Sequence, residues 1–190
     1  MNKTLFTLLA LSAATGAVAE PAVYKVDPTH TRAAWEAKHF GTSTNRGHWD
    51  TTEGEITLDK VGKIGKVNII IDMASINTGI ASFNGHMKGP DFFDVDHYPT
   101  ATFVGDKLTF EGDKITEVSG DLTIRGKTHP AVLKATSYNC YDNPRLKREV
   151  CGGDFETIVK RSAFNVNWGI AEKFTADDIK VTIQIEAIKM

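Results

Sequence analysis

The sequence predicts an all-β protein in which eight or nine antiparallel strands close into a barrel. Three features point there. Apolar and polar residues alternate along most of the chain, short turn signals separate the alternating runs, and only one segment carries a helical period. The composition, 41% hydrophobic and 24% charged over 190 residues, is that of an ordinary globular chain. With 22 basic against 24 acidic residues, there is no cationic excess of the kind that binds a phosphate backbone. Nucleic acid is therefore not an expected partner.

In chain order, the first 19 residues carry Lys3, an apolar run from Leu5 to Leu11 and the small-residue ending Ala17-Val18-Ala19. This is the pattern of a secretory signal peptide cleaved before Glu20, and its apolar run is shorter than the roughly 20 residues that span a bilayer. The expected product is a single barrel domain, residues 20–190, exported to the periplasm or secreted. Strand candidates then follow at Tyr24 to Val26, Ala33 to His39, His48 to Leu58 and Val67 to Met73. From Thr78 to Val95 the residues Ile80, Phe83, Met87, Phe92 and Phe93 recur nearer a helical spacing, which reads as one short helix and a helical turn. Asp91, after Pro90, fits the cap of that turn better than acid chemistry. Strands resume at Thr100 to Phe110, Gly120 to Arg125, Ala131 to Tyr138, Phe155 to Val159 and Lys180 to Ala187. Glu111-Gly112-Asp113 and Arg125-Gly126 mark hairpins between neighbours, so the expected topology is mainly up-and-down. A sheet this large protects its edges by closing, and closure with about eight strands leaves an interior filled by side chains or holding one small ligand.

Cys140 and Cys151 are the only cysteines, and in an exported chain such a pair is more often a disulfide than a metal site. Asp142-Asn143-Pro144 between them signals a turn, so the bridge is expected to staple a hairpin. A redox role lacks the C-x-x-C spacing, and zinc lacks a second ligand pair.

The expected interior mixes small residues, Ala33, Ala37, Gly120 and Ala187, with large ones, Trp35, Phe103, Leu122, Ile124, Phe155 and Ile183. The aromatic set Trp49, Phe83, Phe92, Phe93, Phe164 and Trp168 belongs with them. Periodicity alone leaves a packed core and a ligand cavity both open. No catalytic motif is present: G-x-S-x-G, H-E-x-x-H and the glycine-rich phosphate loops are all missing. No catalytic residue, metal or required cofactor is assigned, and the six scattered histidines include His39, expected inside the barrel or at its mouth.

Several ordered segments nevertheless resemble one family. They include Tyr24-Lys25-Val26-Asp27 with His30, His39-Phe40-Gly41, Gly47-His48-Trp49 and Ala74-Ser75-Ile76-Asn77-Thr78-Gly79. The most specific are His86-Met87-Lys88-Gly89-Pro90-Asp91-Phe92-Phe93-Asp94-Val95, Gly120-Asp121-Leu122-Thr123-Ile124-Arg125-Gly126-Lys127-Thr128, and Arg161-Ser162 with Phe164. Together they resemble the exported YceI-like proteins, the polyisoprenoid-binding, lipocalin-like family. This chain departs at Asn165, where family members commonly have glycine, and at Phe83-Asn84, where they carry a basic-acidic pair.

The resemblance implies an extended, lipocalin-like eight-stranded barrel around a long-chain isoprenoid lipid. The wall it implies comprises Trp35, Ala37, His39, Trp49, Ile80, Phe83 and Met87, continuing through Phe92, Phe93, Phe103, Leu122, Ile124, Phe164 and Trp168. His39, His86 and Arg161 are the head-group candidates, although Arg161 equally fits a structural clasp to Asp91 or Asp94. The expected role is noncatalytic binding, storage or transport of a polyprenyl lipid, a quinone favoured slightly over a phosphate for want of an inward cation cluster. The other readings are an exported interaction protein with a packed barrel, and an enzyme on a lipid using His39 or His86. Transient contact with a membrane or membrane enzyme, and a homodimer, complete the expected partners.

Overall fold

The computed structural model describes residues 20–190, so the signal-peptide reading of residues 1–19 lies outside the described residues. Strands β1 (Ala22–Val26), β2 (Arg32–His39), β3 (Ser43–Trp49), β4 (Thr52–Asp59), β5 (Ile64–Asp72) and β6 (Ile76–Asn77) precede helix α1 (Ala81–Lys88). Then come β7 (Thr100–Glu111), β8 (Lys114–Ile124), β9 (Lys127–Asn143), β10 (Arg148–Lys160) and β11 (Asp178–Lys189). All pairings are antiparallel, and a β1–β11 pairing closes the sheet.

Six of the strands are halves of longer ones. β11 pairs with β1 along its C-terminal part (Val26 opposite Ala187) and with β2 along its N-terminal part (Ala33 opposite Ile183), so β1 and β2 lie end to end. The same holds for β3 with β4, which pair with β2 and β1, and for β6 with β5, which pair with β3 and β4. The wall is thus the expected closed barrel of eight antiparallel segments. Local hydrogen bonds make the breaks. Asp27 Oδ1 accepts from the Thr29 N–H and hydroxyl, and Asp72 Oδ1 accepts from the Ala74 N–H to cap a single 3-10 turn, Met73–Ser75.

The expected short helix and the turn after it are both present. α1 covers Ala81–Lys88, and residues 89–98 form successive turns rather than more helix. Asp94, not Asp91, organises those turns: it takes a left-handed φ of 49° and its carboxylate meets His97 Nδ1 at 2.8 Å. Asn84 supports the helix start by accepting from both the N–H and the hydroxyl of Thr78.

Alternation places Tyr24, Val26, Ala33, Trp35 and Ala37 inside, each less than a tenth exposed. The interior separates into two apolar clusters along the barrel. One, at the α1 end, centres on Trp35, Trp49, Met87, Phe92 and Phe164. The other, at the far end, centres on Tyr24, Leu58, Phe103, Val118 and Phe155, and Ile71 and Leu122 pack against both. Gly120 is not the space-keeping interior residue that the sequence predicts. It sits opposite Gly105 beside a register shift, and a Cβ there would come 2.1 Å from the Val104 carbonyl oxygen, so its role is close backbone approach.

Cys140 and Cys151 are directly opposed on β9 and β10 and form the expected disulfide across the hairpin. Beside it, Glu149 receives the Tyr24 hydroxyl and the Lys60 ammonium, each at 2.5 Å. Burial pushes the Glu149 carboxyl up, but these two donors outweigh it and hold the group below its ordinary value. Replacing both cysteines by Ser should cost about 2–3 kcal/mol, a melting-temperature loss of roughly 5–10 °C in a domain of this size, with ligand identity unchanged. Thermal melts of oxidised and variant protein, each followed by ligand extraction, measure both quantities.

Candidate functional site

At the α1 end the eight-segment wall is incomplete, because β6 pairs with β3 and β7 pairs with β5 and β8. α1 and the turns after it connect β6 to β7 and bring Phe83, Met87, Phe92 and Phe93 against the barrel interior. The irregular segment between β10 and β11, residues 161–177, contributes to the same end.

A cavity of about 210 Å³ lies between these elements, and its wall is overwhelmingly apolar. Of the residues predicted from sequence, Trp35, Ala37, His39, Trp49, Phe83, His86 and Met87 line it. So do Phe92, Phe93, Ile124, Arg161, Phe164 and Trp168. Three others do not line it. Ile80, at the N-cap of α1, is 58% exposed; Phe103 belongs to the far cluster; and Leu122 sits between the two clusters. Ile80 precedes α1 with extended backbone, so the helical spacing that carries Phe83 and Met87 to the cavity does not carry Ile80 there.

Sequence reasoning missed Asn45, Val159, Val166, Thr175, Ile179 and Val181 as wall residues. Val159 and Val181 carried a signal, since both alternate inward on predicted strands. Val166 and Thr175 carried none, because the segment that holds them has no periodicity.

Trp35 and Trp49 are 5% and 7% exposed, and among the described residues their indole Nε1 atoms have no hydrogen-bond partner. Gly47 makes room for one of them: it is directly opposite Trp35, and a Cβ there would lie 2.6 Å from the indole ring. Two buried donors left unpaired cost free energy until an acceptor, water or ligand, meets them.

Arg161 is the one cation on the wall, and it is 6% exposed. Its guanidinium donates to the carbonyls of Ala176 (2.8 Å), Val166 (2.9 Å), Trp168 (2.9 Å) and, more weakly, Thr175 (3.5 Å). It is a clasp, as one reading of the sequence has it, but the predicted carboxylate partners are wrong. Arg125, not Arg161, approaches Asp94, at 3.8 Å. Carbonyls win because the 161–177 segment forms no strand ladder, and a five-donor fork satisfies the groups that a ladder would have used. Burial works against the Arg161 charge, and Asp177 partly restores it. Asn165, closing the 3-10 turn of residues 161–164, adopts φ 60°, which explains a glycine or asparagine there.

His39 and His86 stand at the opening rather than deep inside. The His39 ring meets Phe40 edge-on at 4.7 Å, and that of His86 meets Phe92 at 4.8 Å and Trp168 at 4.9 Å. On the other side of Trp168, an open polar cleft carries Arg125 together with the carboxylates of Asp91 and Glu172. A second, smaller void of about 70 Å³, bordered by Tyr24, Tyr138, Cys151 and Phe155, lies in the far cluster.

The YceI-like domain model matches residues 24–187, the whole barrel. The chain belongs to the YceI-like family. A UPF0312 protein of Pseudomonas putida is 30% identical to this YceI-like domain chain, covering 100% of it and 99% of the relative. The crystal structure of Burkholderia cenocepacia BcnA superposes with a TM-score of 0.70 at 26% identity, covering 85% of this chain and 98% of that one. A polyisoprenoid binding domain from Saccharophagus degradans, implicated in plant cell wall breakdown, shares the fold with a TM-score of 0.61 at 16% identity, over 89% and 99% of the two chains.

Proposed function

We propose that this YceI-like barrel is a noncatalytic binding protein for a long-chain isoprenoid lipid, which it stores or carries in the periplasm. The observation that carries the reading is the cavity at the α1 end: apolar walls, and among the described residues a single Lys or Arg on them, already committed to backbone carbonyls. Apolar walls favour a hydrocarbon chain through the area it removes from water. An apolar wall whose one guanidinium is already committed favours a head group without charge. A quinone, with carbonyl oxygens and a prenyl tail, has both properties. A polyprenyl phosphate would call for free Arg or Lys donors, and the cleft beside Trp168 sets two carboxylates against one guanidinium.

The fold neighbour from Saccharophagus degradans is itself named for polyisoprenoid binding, which agrees with this reading of the cavity. Export agrees with the Cys140–Cys151 disulfide, since such bonds persist in oxidising compartments.

Native mass spectrometry of the protein purified from its own periplasm, followed by organic extraction, tests the proposal. The expected result is a stoichiometric prenyl compound with a neutral, oxygen-bearing head. A phosphorylated head would replace the quinone by its runner-up. A mass that never shifts with added prenyl lipids would end the carrier reading in favour of a packed interaction protein.

A further inference from the structure

A continuous aromatic path leads out of the cavity. Phe92, 6% exposed on the wall, stacks at 5.4 Å with Trp168, which is 41% exposed. Trp168 meets Phe174 at 6.0 Å, and Phe174 meets Phe40 at 5.2 Å. Phe40 is the outermost ring, 58% exposed at the tip of the β2–β3 hairpin. Neither Phe40 nor Phe174 lines the cavity.

The hairpin tip holds Phe40 in an uncommon way. Phe40 and Gly41 both have positive φ, 50° and 68°, with the Thr42 N–H donating to the His39 carbonyl, the geometry of a type I′ turn. That turn favours Asn, Asp or Gly at its first central position, and a bulky side chain there is an outlier. The turn geometry therefore gives no reason for an aromatic ring at this site. The tip is also braced: the Phe40 N–H donates to the Phe174 carbonyl, and the Ala176 N–H to the Lys38 carbonyl. An exposed ring, Phe40, and a half-buried one, Phe174, are thereby presented side by side on a fixed support.

Charge accompanies them. Lys38 and Lys173, exposed and next to His39-Phe40 and Phe174 in the chain, form no salt bridge among the described residues, whereas nearby Arg46 is paired with Glu36 at 3.2 Å. In sequence, Glu172 adjoins Lys173, and Glu36, already paired with Arg46, lies two residues from Lys38. Aromatic rings flanked by lysines outside any salt bridge suit the interface of an anionic bilayer.

We infer that Phe40 and Phe174, flanked by Lys38 and Lys173, form a docking rim that inserts into an anionic phospholipid surface at the cavity mouth. This inference rests on the isoprenoid reading for its purpose: a chain insoluble in water enters directly from the bilayer along the aromatic path. The membrane contact itself is independent of the cargo.

The test compares residues 20–190 with the Phe40→Asn variant, because Asn adopts the left-handed turn and removes the ring. Flotation with vesicles of phosphatidylglycerol and phosphatidylcholine measures docking, and uptake of a long-chain prenyl quinone from vesicles or from detergent measures loading. The expected result is binding that weakens with salt, at least a fivefold loss of vesicle-bound protein in the variant, a similar slowing of uptake from vesicles, and unchanged uptake from detergent. Equal flotation of the two proteins, or none by the unmodified protein, overturns the docking rim. Failure to load from detergent, with docking as expected, overturns the isoprenoid reading and leaves the rim standing.

Discussion

Replacing Arg161 by Ala lowers the melting temperature of residues 20–190 by roughly 10–20 °C, the consequence of about 4–5 kcal/mol of lost stability in a domain of this size. The guanidinium meets the carbonyls of Val166, Trp168 and Ala176 within 2.9 Å and that of Thr175 at 3.5 Å. Truncation leaves these acceptors without their donor in a site that is 6% exposed. Each buried polar group left unpaired costs about 1–3 kcal/mol, with part recovered as the segment relaxes toward water. Relaxation has its own consequence, because Val166, Trp168 and Thr175 are cavity wall. Loss of stability and loss of lipid loading therefore appear together. Arg161→Lys distinguishes a clasp from a head-group ligand. Lysine keeps the charge but offers a compact ammonium instead of a planar fork, so a clasp is still largely lost, whereas a simple anion receptor would survive. Melting curves and bound lipid measured on both variants decide it, and an Ala variant as stable as the parent would remove the clasp.

Ala37→Trp blocks the cavity and reduces bound isoprenoid at least tenfold while leaving a folded β-sheet spectrum. Ala37 is 7% exposed on β2 and lines the cavity, so an indole there occupies the space of the chain. The overpacking costs about 1–3 kcal/mol, which an intact barrel tolerates. Leu122→Trp has a different expected outcome, because Leu122 lies between the two clusters rather than on the cavity wall. The voids of about 210 and 70 Å³ lie in the two clusters that Leu122 and Ile71 both touch, so a long chain that reaches the far void passes these side chains. The Leu122 variant should admit short prenyl chains and exclude long ones, read by extraction after loading with each. Equal loading of long chains into both variants would place the lipid elsewhere.

Much of the fold is legible in the residues because burial on one face of a strand imposes a period of two. The Val181-Ile183-Ile185-Ala187 series and the Ala33-Trp35-Ala37 series are examples, and both face the interior in the structure. Turn signals and the cysteine pair are equally local, so the hairpins and the disulfide follow from short stretches of chain. The barrel's closure was accessible because a large sheet has few ways to satisfy its edges, whereas the cavity wall was accessible only through the family resemblance.

Tertiary structure alone decided the rest. Whether an inward residue packs or faces a void depends on partners distant in sequence, so Phe103 and Leu122 could not be separated from Trp35 by periodicity. Ile80 and Phe83 share one helical pattern, yet the docking of α1 buries one and exposes the other. Arg161 could be named from its neighbours, but its partners could not, because they are carbonyls of a segment with no repeating geometry. The unpartnered state of the Trp35 and Trp49 donors is likewise a property of the assembled interior. Local alternation reports which face of a strand meets the core, whereas the contents of that core arise from how the eight wall segments and α1 converge.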